Sequence, residues 1–190
     1  FIKDNIYFKT KNAERIKDLS KITSPFLSGS LDEVIAANTD EKWIGLWETN
    51  RGCPFTCTYC DWGSATGSKQ MGIFPEDRLK EEMEWFSHHS IEYIFCCDAN
   101  FGMFKRDPEL AKMVGKIKYK TGFPHALSVQ NTKNSTERSY ETQKILCDYG
   151  LNKGVTLSMQ TLSDKVLKNI KRSNIKLESY FELQKRFIKD

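Results

Sequence analysis

The sequence is poor in several things, and each shortage excludes a class of protein. No apolar run approaches the roughly 20 residues needed to cross a bilayer, and no succession of charged, apolar and small residues resembles a secretory signal. The chain therefore reads as a soluble protein for which a cytoplasmic location is expected. Charge of one sign is not concentrated anywhere: 29 basic and 25 acidic residues are scattered to a net +4. Without a dense basic stripe, nucleic acid is not indicated as a partner. Histidine is scarce, at three residues (His88, His89 and His125), which leaves few candidates for a mixed Cys/His metal site. Internal repeats and low-complexity stretches are absent, so solenoids and disordered tails are set aside. At 190 residues the chain has room for one core and little for a second.

What is present begins with an alternation of short β-type and helical runs, which signals β-α-β units and a parallel sheet. The first strand is expected over Trp43 to Thr49. A helix follows with Pro75 in its first turn and Leu79, Met83 and Phe86 on one face. The second strand is Ile91 to Cys96. Its helix starts at Asp107 with Pro108 just inside and carries Leu110, Met113, Val114 and Ile117. The third strand is Ala126 to Gln130; Asn134 with Glu137 resembles a capped helix start, and Gly150 is placed to end that helix. A fourth strand is expected over Val155 to Met159, then a helix capped by Ser163, then another from Leu177.

Residues 1–42 read as a lead-in, with a β-like piece around Ile6 to Phe8 and a Ser30/Glu33 capping box ahead of Val34 and Ile35. Residues 43–190 read as the core. The chain starts at Phe1 rather than Met, and its last helix has neither Gly nor Pro beyond it. Both ends are expected to continue in a longer polypeptide, with at least two further strands beyond Asp190. Four β-α units suit an open doubly wound sheet or part of a (β/α) barrel equally. In both, chemistry belongs at the carboxyl ends of the strands.

Six cysteines could suggest disulfides, but three of them, Cys53, Cys57 and Cys60, share one loop directly after the first strand with the spacing C-x3-C-x2-C. That spacing suits metal ligation in a reducing compartment. Three thiolates on a short loop can hold three corners of a cubane cluster and leave the fourth iron open to another ligand. Gly52 permits a tight bend before the first ligand and Pro54 fixes the backbone after it. The alternatives are a closed zinc knuckle, which needs a fourth ligand that the loop does not offer, and a non-catalytic iron–sulfur module, which would also use four. Cys96, Cys97 and Cys147 are expected to be small buried apolar residues. Trp47, Trp62 and Phe55 should pack, Trp62 shielding the metal site, and Arg51 should hold the loop or pair with a neighbouring acid such as Glu48.

The C-x3-C-x-aromatic-C pattern, with Tyr59 at the aromatic position, resembles the signature of the radical S-adenosylmethionine (SAM) superfamily. The resemblance implies a partial (β/α) barrel, truncated here to about four β-α units, whose cysteine loop carries a 4Fe-4S cluster. It further implies that the open iron binds the amino and carboxylate groups of SAM. One-electron reduction of the sulfonium then releases methionine and a 5′-deoxyadenosyl radical that abstracts a substrate hydrogen. An electron donor such as ferredoxin or flavodoxin is the implied partner, and the substrate is not legible.

Further expectations follow from the resemblance. Asp98 and Asn100 stand where many members carry a glycine-rich motif that meets the amino group of SAM; the double glycine is missing here. Ser158 and Gln160, on one face of the fourth expected strand, fall in the region of the ribose contacts. Arg172 is placed to pair with the methionine carboxylate. Ser24-Pro25-Phe26-Leu27-Ser28-Gly29, Glu48 to Gly63, and Asp98 to Met103 resemble the branch with an upstream cobalamin-binding domain, which includes methylases. Residues 1–42 are too short to hold that domain.

Overall fold

A computed structural model of the chain describes residues 2–11, 14, 16–62, 71–134, 137–152 and 154–189. The lead-in opens on a hairpin of β1 (Ile2–Lys3) and β2 (Ile6–Tyr7), paired antiparallel. Asp4 and Asn5 form its turn at φ 51° and 58°, the left-handed region that two-residue hairpin turns need and that these residues tolerate. A 3₁₀ turn over Leu19–Lys21 brings Leu19 into the core. The short helix α1 (Asp32–Ala37) has Leu31 at its cap position and no side-chain cap. The expected capping box is not formed: Ser30 Oγ bonds Ser28 Oγ at 2.6 Å instead, a local hydroxyl pairing that competes with capping.

The core then proceeds through β3 (Ile44–Trp47), β4 (Asn50–Arg51) and β5 (Gly72–Ile73). Pro75 stands at the N-cap position of α2 (Glu76–His88), just ahead of the first turn and with no side-chain cap, and Leu79, Met83 and Phe86 lie on the buried face of that helix. Next come β6 (Tyr93–Cys96) and α3 (Asp107–Thr121), the helix carrying Pro108 in its first turn and ending on Gly122 at φ 89°. The chain continues through β7 (Ala126–Ser128), α4 (Glu137–Asp148), α5 (Asp164–Asn169) and α6 (Leu177–Lys189). Ser163 caps α5 as its sequence suggests, accepting from Val166 N at 3.4 Å.

β3, β6 and β7 form a parallel sheet with β6 in the centre, Trp47 opposite Cys96 and Ile94 opposite Leu127. Alternation along the strands separates two faces. Gly45, Trp47, Ile94, Cys96 and Leu127 are buried, and most of these join Leu79, Met83, Phe86, Leu110, Val114 and Leu146 from the helices in one core. Ile44, Leu46, Tyr93 and Phe95 occupy the other, exposed face. The lead-in packs on α2, where the ring of Phe26 lies 4.5 Å from Phe86 and 5.3 Å from Trp85.

The fourth expected strand is not formed: residues 154–161 carry no strand pairing. The reason is register. Leu127 N donates to Leu151 O at 2.9 Å, and a parallel alignment from that point sets residues 155–159 opposite residue 131 and beyond. β7 itself ends at Ser128, short of that position. The described core is thus three helix-backed parallel strands rather than four.

Candidate metal centre

The cysteine loop leaves the carboxyl end of β3 through a tightly fixed base. Asp98, fully buried just past the end of β6, accepts from Thr49 N (2.7 Å), Asn50 N (3.0 Å) and Asn50 Nδ2 (2.7 Å), and from the hydroxyl of Thr49. Burial pushes this carboxyl above the usual range, and the Thr49 and Asn50 bonds pull it back. Arg106 closes the base from the far side, donating to Thr49 O and Phe74 O at 2.6 Å each. Arg51 and Glu48 form the expected pair, at 3.0 and 2.6 Å. Gly52 sits at φ 114°, the bend that a side chain would resist.

Beyond that bend, Cys53 and Cys57 are buried and Cys60 is half-buried. Asn100 Nδ2 donates to Cys53 Sγ at 3.3 Å. Lys133 Nζ reaches Cys57 Sγ at 3.7 Å and Cys60 Sγ at 4.0 Å. The far side of the loop is tied to the end of α5 by Thr58 N donating to Ile170 O at 3.1 Å. A cavity of ≈ 380 Å³ opens here, lined by Cys53 and Cys60 of the loop, Cys97 and Asp98 after β6, Lys133 after β7, and Ser158. The cysteine loop that follows β3, the ends of β6 and β7, and the segment of Ser158 therefore meet at one opening. A larger cavity of ≈ 500 Å³, between α4, α6 and residues 154–157, contains no residue of the loop; size alone does not identify the chemistry.

Three thiols on one loop are the donor set that a cubane cluster would use. Cys57 and Cys60 share one ammonium, and Cys53 and Cys60 share one cavity. Yet among the described residues no three His, Cys, Asp or Glu side chains meet closely enough to hold one metal ion. A cubane asks each thiolate to reach a different iron, so it does not need them to meet. Asn100 Oδ1, buried beside Cys53 without a hydrogen-bond partner, is an unsatisfied polar atom at the same spot.

The other residues singled out in the sequence divide. Ser158 lines the cavity, whereas Gln160 is exposed and does not. The buried Arg172 donates to Tyr59 Oη (3.5 Å), Ser158 O (3.2 Å) and Asn174 Oδ1 (3.2 Å), so its guanidinium joins the loop to the segment between α4 and α5. Tyr59 is exposed apart from that contact. Trp62 is also exposed, at the cavity wall; Gly63, which ends the loop motif, lies outside the described residues. Cys96 is buried as expected. Cys97 is only half-buried and Cys147 is exposed, which corrects the expectation for both. Alternation explains Cys97: it follows Cys96 on the opposite face of β6. Sequence reasoning assigns Lys133 and Gln130 no role; the available signal is their position, Gln130 ending the third expected strand and Lys133 in the loop beyond it.

A cysteine loop at the carboxyl end of the first strand of a helix-backed parallel sheet is the arrangement of a metal-dependent enzyme core. The family model of the radical SAM superfamily matches residues 47–189, and the chain belongs to that superfamily. Membership implies a 4Fe-4S cluster and SAM. Over 177 residues, 92% of this chain, it is 45% identical to 2-(S-pantetheinyl)-carbapenam-3-carboxylate methyltransferase of Streptantibioticus cattleyicolor. Over the same length it is 42% identical to the cobalamin-dependent radical SAM methyltransferase TokK of Streptomyces tokunonensis. The chain covers 26% of each, about a quarter of the length of these relatives. Among the described residues no helix is long and apolar enough to cross a membrane.

Proposed function

We propose that these residues form the cluster- and SAM-binding core of a cobalamin-dependent methyltransferase, built as a partial (β/α) barrel with residues 1–42 as a lead-in. The observation that carries this reading is the meeting of Cys53, Cys60, Asp98, Lys133 and Ser158 at one cavity on the carboxyl side of the sheet. The methyl-transfer part rests on the names of the two relatives. The cluster, when bound to Cys53, Cys57 and Cys60, supplies single electrons and an iron open to the amino and carboxylate groups of SAM.

The chain's own residues position and enclose. Asp98 and Arg106 fix the base of the loop, so the cysteines need not be ordered when a cluster binds. Arg172 holds Tyr59 and the Ser158 backbone together, which leaves the Ser158 hydroxyl for SAM. Asn100 serves Cys53 through its amide and, through its free Oδ1, accepts from the SAM ammonium, while the Asp98 backbone carbonyl is a second acceptor. Gln160 joins this set only if its segment turns toward the cavity on binding. A ferredoxin- or flavodoxin-type protein is the electron donor. The pantetheinyl carbapenam carboxylate named for one relative is the first substrate to try.

The test uses the native polypeptide, purified and reconstituted without oxygen. Iron and sulfide should be found, with a spectrum that SAM perturbs, and a low-potential reductant should yield 5′-deoxyadenosine. Addition of cobalamin and the carbapenam should give a methylated product. Zinc in place of iron, or an iron–sulfur spectrum indifferent to SAM, would refute the proposal.

A further inference from the structure

From Gly52 to Trp62 the cysteine loop has no cation to offset three thiolates, Arg51 before it being paired with Glu48, and the residue that supplies one comes from elsewhere in the chain. Lys133 lies 76 positions from Cys57 and 73 from Cys60. It reaches them because the chain past β7 is held against the end of β6: Phe101 pairs with Asn131, Phe101 N donates to Gln130 O (2.8 Å), and Thr132 N donates to Phe101 O (3.1 Å). Its Nζ then stands 3.7 Å from one sulfur and 4.0 Å from the next, and 5.7 Å from the centre of the Phe55 ring. Lys133 has no salt-bridge partner among the described residues. Its charge is directed at the sulfur pair and the cavity, whereas among the described residues the donor to Cys53 is the neutral amide of Asn100.

Resting on the cluster reading above, we propose that Lys133 is a positioning residue that sets the potential of the site by placing a positive charge between the sulfurs of Cys57 and Cys60. Charge and hydrogen bonds at the sulfurs are main determinants of an iron–sulfur potential. A cation about 4 Å away, in surroundings drier than bulk water, favours the state that carries one more electron. Lys133 thus makes the one-electron reduction by the flavodoxin-type donor easier. A rival use of the same ammonium, pairing with the carboxylate of SAM, predicts a different set of outcomes.

The experiment is an EPR-monitored redox titration of the reconstituted native polypeptide without SAM, for the wild type, Lys133→Met and Lys133→Arg, with iron and sulfide content and SAM affinity measured alongside. In Lys133→Met the reduced-to-oxidised ratio at a fixed potential should fall about tenfold, a midpoint lower by 59 mV for a one-electron couple, and Lys133→Arg should recover most of it. An unchanged midpoint with weaker SAM binding would assign the lysine to the cosubstrate and overturn the proposal. Where Lys133→Met assembles no cluster, Lys133→Gln is titrated against Lys133→Arg, and equal midpoints for the neutral and charged variants overturn it as well. A wild type that binds no iron–sulfur cluster defeats the functional reading itself, a result distinguishable from any of these.

Discussion

Asp98 was picked out from sequence for its place at the end of the second strand, and the structure gives its carboxylate four donors from Thr49 and Asn50. Nothing in the sequence reveals that two backbone N–H groups nearly fifty positions earlier aim at it. A strand-end aspartate as a ligand and one as an anchor look alike until the strands are paired. The same holds for Arg172, whose three partners lie on the loop and beyond β7. Truncating Asp98 to Ala leaves those donors buried and unpaired, which should cost about 3 kcal/mol or more. Urea denaturation of the native polypeptide measures this; a loss under about 0.5 kcal/mol, the level of an ordinary surface substitution, would show that the network does not hold the loop. The cysteines were legible for the opposite reason: their spacing is local, and a local pattern survives in one dimension.

At the scale of elements, periodicity carried the reading well where a face is buried. Leu79, Met83 and Phe86 sit on the core side of α2, and Ile94 and Cys96 on the core side of β6. It failed at the fourth strand, because alternation reports a tendency to extend and not whether a partner is in register. Close approach was also invisible. A Cβ at Gly45 would lie 2.7 Å from the Phe86 ring, which is itself fully packed. Gly45→Ala should therefore destabilise by about 1–3 kcal/mol through overpacking, read as a lower denaturation midpoint, and an unchanged midpoint would mean that α2 can shift away from β3. Asp107, at the start of α3, accepts from Gly102 N at 2.8 Å and Phe104 N at 2.9 Å. Burial raises its pKa from 3.8 to about 6. The folded state then holds this proton more tightly than the unfolded chain. The contribution is fully present below 3.8 and is lost as pH rises through about 6. Measured from about pH 4 to about pH 7, the wild type should lose stability relative to Asp107→Asn. A constant difference between the two would remove the burial argument.

Across the whole molecule, the sheet has a helix-covered face, an open face bearing Leu46 and Phe95, and one end where the loop and the strand termini converge. That convergence was expected from the rule that parallel sheets work at their carboxyl ends, and it separates the six cysteines by position in the fold rather than by chemistry. Cys53, Cys57 and Cys60 lie on the loop, whose backbone can set each thiol on a separate iron. Cys97 faces the same cavity but directly follows the last residue of β6, with its N–H donating to Trp47 O at 2.7 Å and its Sγ 3.8 Å from Phe95 O. That N–H bond ties its backbone to the last residue of β3, so its thiol has less freedom to move than those of the loop. Cys96 is sealed in the core, and Cys147 is at the surface beside the larger cavity. In the native polypeptide, Ala at position 53, 57 or 60 should abolish reductive cleavage of SAM and greatly reduce bound iron. Cys97→Ala and Cys147→Ala should keep wild-type iron, and Cys96→Ala should keep it while losing about 1 kcal/mol of stability from the small cavity left behind. Iron and sulfide analysis beside a denaturation curve separates these cases. Iron lost from Cys97→Ala with an unchanged denaturation curve would make the strand-end thiol a ligand, and the three-cysteine assignment would fall.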